Sequence, residues 1–180
     1  MKAAAPRTAL LFLLTAALVA VLAVPAATAR TQRTARQTGL EQDVLVQLNA
    51  IRMAHDLVPL KLSPGLDAAA TQHTREMIRL GYFAHDSADG TSFDTRIAHY
   101  YPFLARFHSW SVGENLVWEE PDLDAAGALQ LWMASPPHRH NILDPDWREI
   151  GISALHVSNA PTVFGGEDVT VITTDFGVRL

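Results

Sequence analysis

The chain has 180 residues, eight histidines, no cysteine and a formal net charge of −5, which suits one ordinary domain with a real hydrophobic core. The lack of cysteine excludes disulfides, covalent cysteine catalysis and thiolate metal sites, leaving histidine as the soft ligand or base. The acidic balance argues against binding nucleic acid or anionic lipid through bulk charge.

The first residues do not read as part of a fold. Lys2 and Arg7 precede an apolar run over 9–24 broken only by Thr15, and Ala27-Thr28-Ala29 fits a small-x-small cleavage site. A basic, then apolar, then small-residue order predicts a secretory signal peptide over 1–29, cut after Ala29. The run is about 16 residues, short of the ~20 that a membrane-spanning helix needs. Cleavage would remove Lys2 and Arg7, so 14 basic residues less two leaves 12 against 19 acidic, a charge of −7. With no second apolar span, no stable membrane span is expected after cleavage, and the destination is extracellular or periplasmic. Residues 30–38 are polar, basic and without periodicity, and read as a flexible lead-in to a domain over 39–180.

Within that domain, Leu40, Val44, Leu48 and Ile51 recur at helical spacing, predicting a helix that stops before Pro59. Ser63-Pro64 marks a second helix start and Gly81 its end, with Leu66, Ala70, His73, Met77 and Leu80 on one face. A loop from Phe83 to Gly90 carries His85, and a short helix is expected over 92–100. Val112 to Trp118 reads as a turn at Gly113-Glu114-Asn115 entering a buried strand. Asp122 or Asp124 caps a further helix reaching about Ala134, where Pro136-Pro137 breaks the chain. Alternation over 149–157 and 169–178 predicts two strands joined by a Gly- and Pro-containing hairpin loop. Helices mostly first and strands last argue for an α+β layered domain, and no phosphate-binding glycine loop is present.

Three segments hold the chemistry: Phe83-Ala84-His85-Asp86-Ser87, Gly113-Glu114-Asn115, and the stretch from Trp132 to Leu143 containing Ser135, His138, Arg139, His140 and Asn141. Two imidazoles and a carboxylate could supply part of a Zn²⁺ shell with a position left for water. Alternatively Glu114 hydrogen-bonds a ring N–H and fixes its tautomer. Each residue also has a plain structural reading: a loop histidine bonded to backbone, a turn glutamate, polar residues after a proline break. Ser135 with His138 does not make a serine hydrolase, since no nucleophile elbow or oxyanion donor pair is evident. Trp110, Trp118, Trp132 and Trp147 read as core or cleft walls, with an apolar ligand groove as the alternative.

In order and spacing these segments resemble cysteine-rich secretory, antigen 5 and pathogenesis-related (CAP, SCP-like) proteins, in a bacterial cysteine-free form. Leu48-Asn49 with Arg52 resembles the first-helix signature, Ser63 to Met77 the second helix, and Trp132-x-x-Ser135-x-x-His138-Arg139-x-Asn141-Ile142-Leu143 with Ile150-Gly151 the closing signature. The resemblance implies a three-layer α-β-α sandwich around a small, mostly antiparallel sheet. It also implies a cleft bearing His85, Glu114 and His138, with Ser135 standing where a second acidic residue belongs. Some members bind lipids or sterols. A secreted binding module follows as the preferred reading. Its cleft would hold a divalent metal such as Zn at His85 and His138, and an apolar small molecule or extracellular protein as partner. A metal-assisted hydrolase of peptides or cell-wall material, with Glu114 as catalytic base, is the alternative, and whether the protein is an enzyme stays open.

Overall fold

The computed structural model describes the backbone of residues 26–180 and the side chains from Gly39 onward. The leader expected over 1–29 lies, for residues 1–25, outside the described residues. Helix α1 (Ala26–Ala54) runs without interruption through 30–38, where the sequence suggested a flexible lead-in. Nothing in that stretch breaks a helix, since it holds Ala, Arg, Gln and Thr but no Gly or Pro.

There follow β1 (Lys61–Leu62), α2 (Pro64–Leu80), α3 (Phe93–Tyr100), β2 (Trp110–Glu119), α4 (Ala125–Ala134), α5 (Pro136–Leu143), β3 (Glu149–Val157) and β4 (Val169–Arg179). The four strands form one sheet in the order β1-β3-β4-β2, with β1 parallel to β3 and the other pairs antiparallel. Helices lie on both faces, giving the expected α-β-α sandwich.

Strand alternation divides the core. On one face Leu116, Val169 and Val171 meet Met77 of α2, and Thr74 of that helix donates to Thr173 at 2.8 Å. On the other, Ile150, Ile152, Ile172 and Phe176 meet Val44 and Leu48 of α1, Trp132 of α4 and Ile142 of α5. Every residue of β4 from Val169 to Val178 is buried, because helices cover both of its faces.

Helix α2 begins at Pro64 after Ser63 and ends at Gly81, whose φ of 68° is the left-handed conformation glycine favours. Leu66, Ala70, His73 and Met77 are buried as their spacing requires, but Leu80 is 43 % exposed, since the helix end runs past the sheet. Asp124, not Asp122, caps α4, accepting from the Gly127 N–H at 2.8 Å.

Two local readings are corrected. Gly113-Glu114-Asn115 is not a turn but the middle of β2, paired with Phe176, Asp175 and Thr174. Gly113 packs closely there: an added Cβ would lie 3.1 Å from the Trp147 ring, tighter than usual. Pro136-Pro137 follows the end of α4 as read, but it opens a new helix and is not simply a break. The two prolines occupy the first turn of α5, where their missing N–H groups have no intrahelical partner to lose. His138, Arg139, His140 and Asn141 are therefore helical.

Candidate functional site

Strand β2 is a sheet edge, and the site is built across it. Glu114 points to the α2 face, as its opposite neighbour Asp175 does, while α5 lies along the outer rim. Edge strands leave backbone groups unpaired, and here side chains satisfy them. Asn141 donates to the Glu114 carbonyl at 3.0 Å and to Asn115 Oδ1 at 2.9 Å, and Trp132 Nε1 donates to the Leu116 carbonyl at 3.0 Å. Asn115 in turn donates to the His138 carbonyl at 3.0 Å. These bonds fix α5, and with it His138, against the strand that carries Glu114. Asn141→Leu would leave a buried carbonyl and the Asn115 amide short of partners. It is expected to destabilise the protein by about 1–3 kcal/mol in urea unfolding.

The residues that resemble the first-helix signature act at the same seam. Asn49 exchanges two hydrogen bonds with the Leu60 backbone, at 2.8 and 3.0 Å. The fully buried Arg52 donates to the carbonyls of Ile142 and Asp144 at 2.7 and 2.9 Å, closing the C-terminal end of α5.

His85 and Glu114 are in direct contact. His85 Nδ1 lies 2.8 Å from Glu114 Oε1, with half of the His85 side chain exposed and the Glu114 side chain 1 % exposed. The other carboxylate oxygen, Oε2, accepts from Arg96 Nη2 of α3, and Arg96 Nη1 donates to the His85 carbonyl at 2.7 Å. Arg96 thus holds both the acid and the loop that carries the imidazole. The Phe93 ring stands 6.3 Å from that of His85.

His138 is half-buried on α5. Burial lowers its pKa and the nearby His85 lowers it further, so the ring is neutral at physiological pH. Ser135 forms the junction of α4 and α5, where its backbone serves both helix ends, and no hydrogen bond to Glu114 or either histidine accompanies it. Among the described residues, no cluster of three or more His, Asp or Glu side chains is arranged to hold a metal.

The sequence reading missed Arg96 and Asp175. Arg96 gave no signal, since a lone arginine on a short helix usually faces solvent. Asp175 did give one: an acid within a fully buried run of Val, Ile, Thr and Phe, on the same side as Val171 and Thr173. His73 lies on the inward face of α2, as its spacing predicts. It is fully buried, with Nε2 2.9 Å from the Ala84 carbonyl, and burial lowers its pKa.

The four tryptophans go into packing. Trp132 and Trp147 are core, Trp147 stacks on Phe176, Trp118 meets Phe164 edge-on, and Trp110 donates to the Tyr101 carbonyl. A hollow of about 630 Å³ lies on α2 between Thr71, Gln72, Arg75, Glu76, Arg79 and Tyr100 and includes none of the site residues. A groove of about 320 Å³ runs between α4 and α5, lined by Met133, Ala134, Pro136, Arg139, His140 and Leu143. No helix among the described residues is long and apolar enough to cross a membrane.

Residues 45–171 match the model of the cysteine-rich secretory protein (CAP) family. An uncharacterised membrane protein of Bacillus subtilis, YlbC, is 27 % identical over 116 residues, covering 64 % of this chain and 32 % of the relative. This chain therefore spans about a third of that protein's length. A Bacillus anthracis extracellular protein containing an SCP domain superposes with a TM-score of 0.64 at 24 % identity, over 81 % of this chain and 42 % of the other. An outer surface protein of Borrelia burgdorferi superposes with a TM-score of 0.59 at 20 % identity, over 78 % of this chain and 95 % of the other. The family match extends over well more than half the chain, and the chain belongs to the cysteine-rich secretory protein (CAP) family, in a form that contains no cysteine.

Proposed function

We propose that the protein is an exported binding module whose rim presents the imidazoles of His85 and His138 to a ligand, with a divalent ion such as Zn²⁺ as the first candidate. One observation carries this: both oxygens of Glu114 are committed, one to His85 Nδ1 and one to Arg96. A carboxylate so engaged and so buried is poorly placed to take a proton from water. It is well placed to hold His85 with Nδ1 protonated and Nε2 turned outward as a lone-pair donor. That favours binding over a hydrolase with Glu114 as its base.

The donor set suits a metal in part. His138 is neutral near pH 7 and His85 is backed by a carboxylate, as metal-binding histidines usually are. Water or the bound partner would complete the shell. The α4–α5 groove shares its second helix with His138 and mixes apolar walls with Arg139 and His140. It suits an apolar small molecule with an acidic end, or a segment of an extracellular protein. Export is supported by the 1–29 leader pattern and by relatives described as extracellular or as an outer surface protein.

Calorimetric titration with zinc is the test. The wild type is expected to bind one ion per chain with measurable heat, and His85→Ala/His138→Ala to bind none. No heat from the folded wild type, or equal heat from the double variant, would remove the metal from this reading.

A further inference from the structure

We propose that Asp175 is the missing second acid of the site: a carboxylic acid that keeps its proton and donates it in a hydrogen bond to Glu114, serving as a positioning residue for the Glu114–His85 pair. The proposal deepens the reading of this cleft and rests on that pair, not on which ligand the imidazoles take.

Its basis is geometric. Asp175 of β4 is the direct cross-strand partner of Glu114 of β2, so the two side chains share the α2 face. Asp175 is 0 % exposed and Glu114 4 %. On the other side of Asp175 the β3 partner is Gly151, which brings no side chain and lets the α2 backbone close over the spot. Among the described residues, neither oxygen of Asp175 has a donor within hydrogen-bond reach. Directly across the strand, on the same buried face, is Glu114, whose carboxylate can accept from Asp175 but cannot donate to it while ionised.

Charge counting then assigns that proton. Two ionised carboxylates buried side by side would share one guanidinium, that of Arg96, leaving an uncompensated negative charge in the interior. The other titratable group facing them from above is His73 of α2, beside Glu76; burial lowers the pKa of His73, so it brings no charge near pH 7. Arg96 and His85 both bond to Glu114, which is therefore the acid that carries the charge. Asp175 has no donor of its own and keeps the proton. Consistently, burial first and the Glu114 charge second raise the Asp175 pKa well above the ordinary aspartate range.

The consequence is a fixed acceptor. Glu114 receives a hydrogen bond from beneath, a guanidinium from one side and His85 Nδ1–H from the other, so the imidazole cannot turn or change tautomer without breaking a buried set. The second acid thus comes from β4, not from the position of Ser135.

Infrared spectroscopy of the ligand-free full chain reads the proton directly and does not depend on any metal. At pH 7 the wild type is expected to show a protonated-carboxyl stretch that shifts in D₂O and is absent in Asp175→Asn. Absence of that band from the wild type would overturn the proposal even if Asp175 variants failed to fold. Nitrogen-15 NMR of the His85 ring should report Nδ1–H in the wild type and in Asp175→Asn, whose amide restores the donor, but mixed tautomers in Asp175→Val. Equal disturbance in both variants would count against a donor role. Unfolding studies supply a third readout. An acid whose folded pKa is raised contributes stability that is complete below its unfolded value of ~3.9 and is lost as pH rises toward the folded one. Wild-type stability should therefore decline above about pH 4 relative to Asp175→Asn. A gap between the two that stays constant from pH 4 to 8 would contradict the assignment.

Discussion

Replacing Arg96 with methionine is expected to remove about 3–5 kcal/mol of stability at neutral pH, the loss typical of a buried ion pair deprived of one partner. The Arg96 side chain is 4 % exposed, and its guanidinium binds both Glu114 and the His85 carbonyl. Without it Glu114 keeps His85, itself half in water, and the proposed bond from Asp175, but loses the buried cation that balances its charge. Adding Glu114→Gln to the Arg96→Met background should recover much of the loss, because the stranded charge disappears with its acid. Urea unfolding of the four proteins at pH 7 forms the cycle. A loss below about 1 kcal/mol, the value of an exposed pair, would mean that water reaches the site freely.

Gly151→Ala should damage the fold by a different route, at about 3 kcal/mol or more, the upper range for overpacking a core. A Cβ at this position would lie 2.0 Å from the carbonyl carbon of Leu66 and 2.2 Å from the nitrogen of Asp67. Both are backbone atoms of the first turn of α2, so no side-chain rotation relieves the clash. The helix must lift from β3, which also loosens the lid over Asp175. Gly39→Ala is the matched control: that glycine lies within α1 with nothing within 4 Å of an added Cβ. There the change should be neutral or stabilising by up to about 1 kcal/mol, the gain from a better helix former. Thermal melts that move equally for the two variants would show that close backbone approach at Gly151 is not what the glycine provides.

The histidine–glutamate pair, its arginine and its acid belong to four separate elements: the loop after α2, β2, α3 and β4. That distribution explains why the fold and the site are coupled. Site variants are expected to lower stability, and fold variants such as Gly151→Ala to disturb the site. Comparing the His85 ring signals with unfolding free energies across the set separates the two effects.

Much of the architecture was legible in the chain because its causes are local. Ser63-Pro64 and Gly81 bound α2 through backbone preferences that act within one turn. Alternation over 149–157 and 169–178 marked β3 and β4, and the Gly-containing segment between them set the hairpin. The grouping of His85, Glu114 and His138 came only through the resemblance of three motifs, since residues 29 and 24 positions apart carry no spacing signal of their own. What only the tertiary structure decided is which groups share a buried volume. Gly113-Glu114-Asn115 looks like a turn in isolation and becomes strand because β4 pairs with it. Pro136-Pro137 looks like a stop and becomes a start because α5 docks on Asn115 and Arg52. Arg96 and Asp175 look like ordinary charged residues until cross-strand register and helix packing remove water from around them. The price of burying a charge depends on its neighbours in space, and those neighbours are set by pairings between strands and helices far apart in the chain.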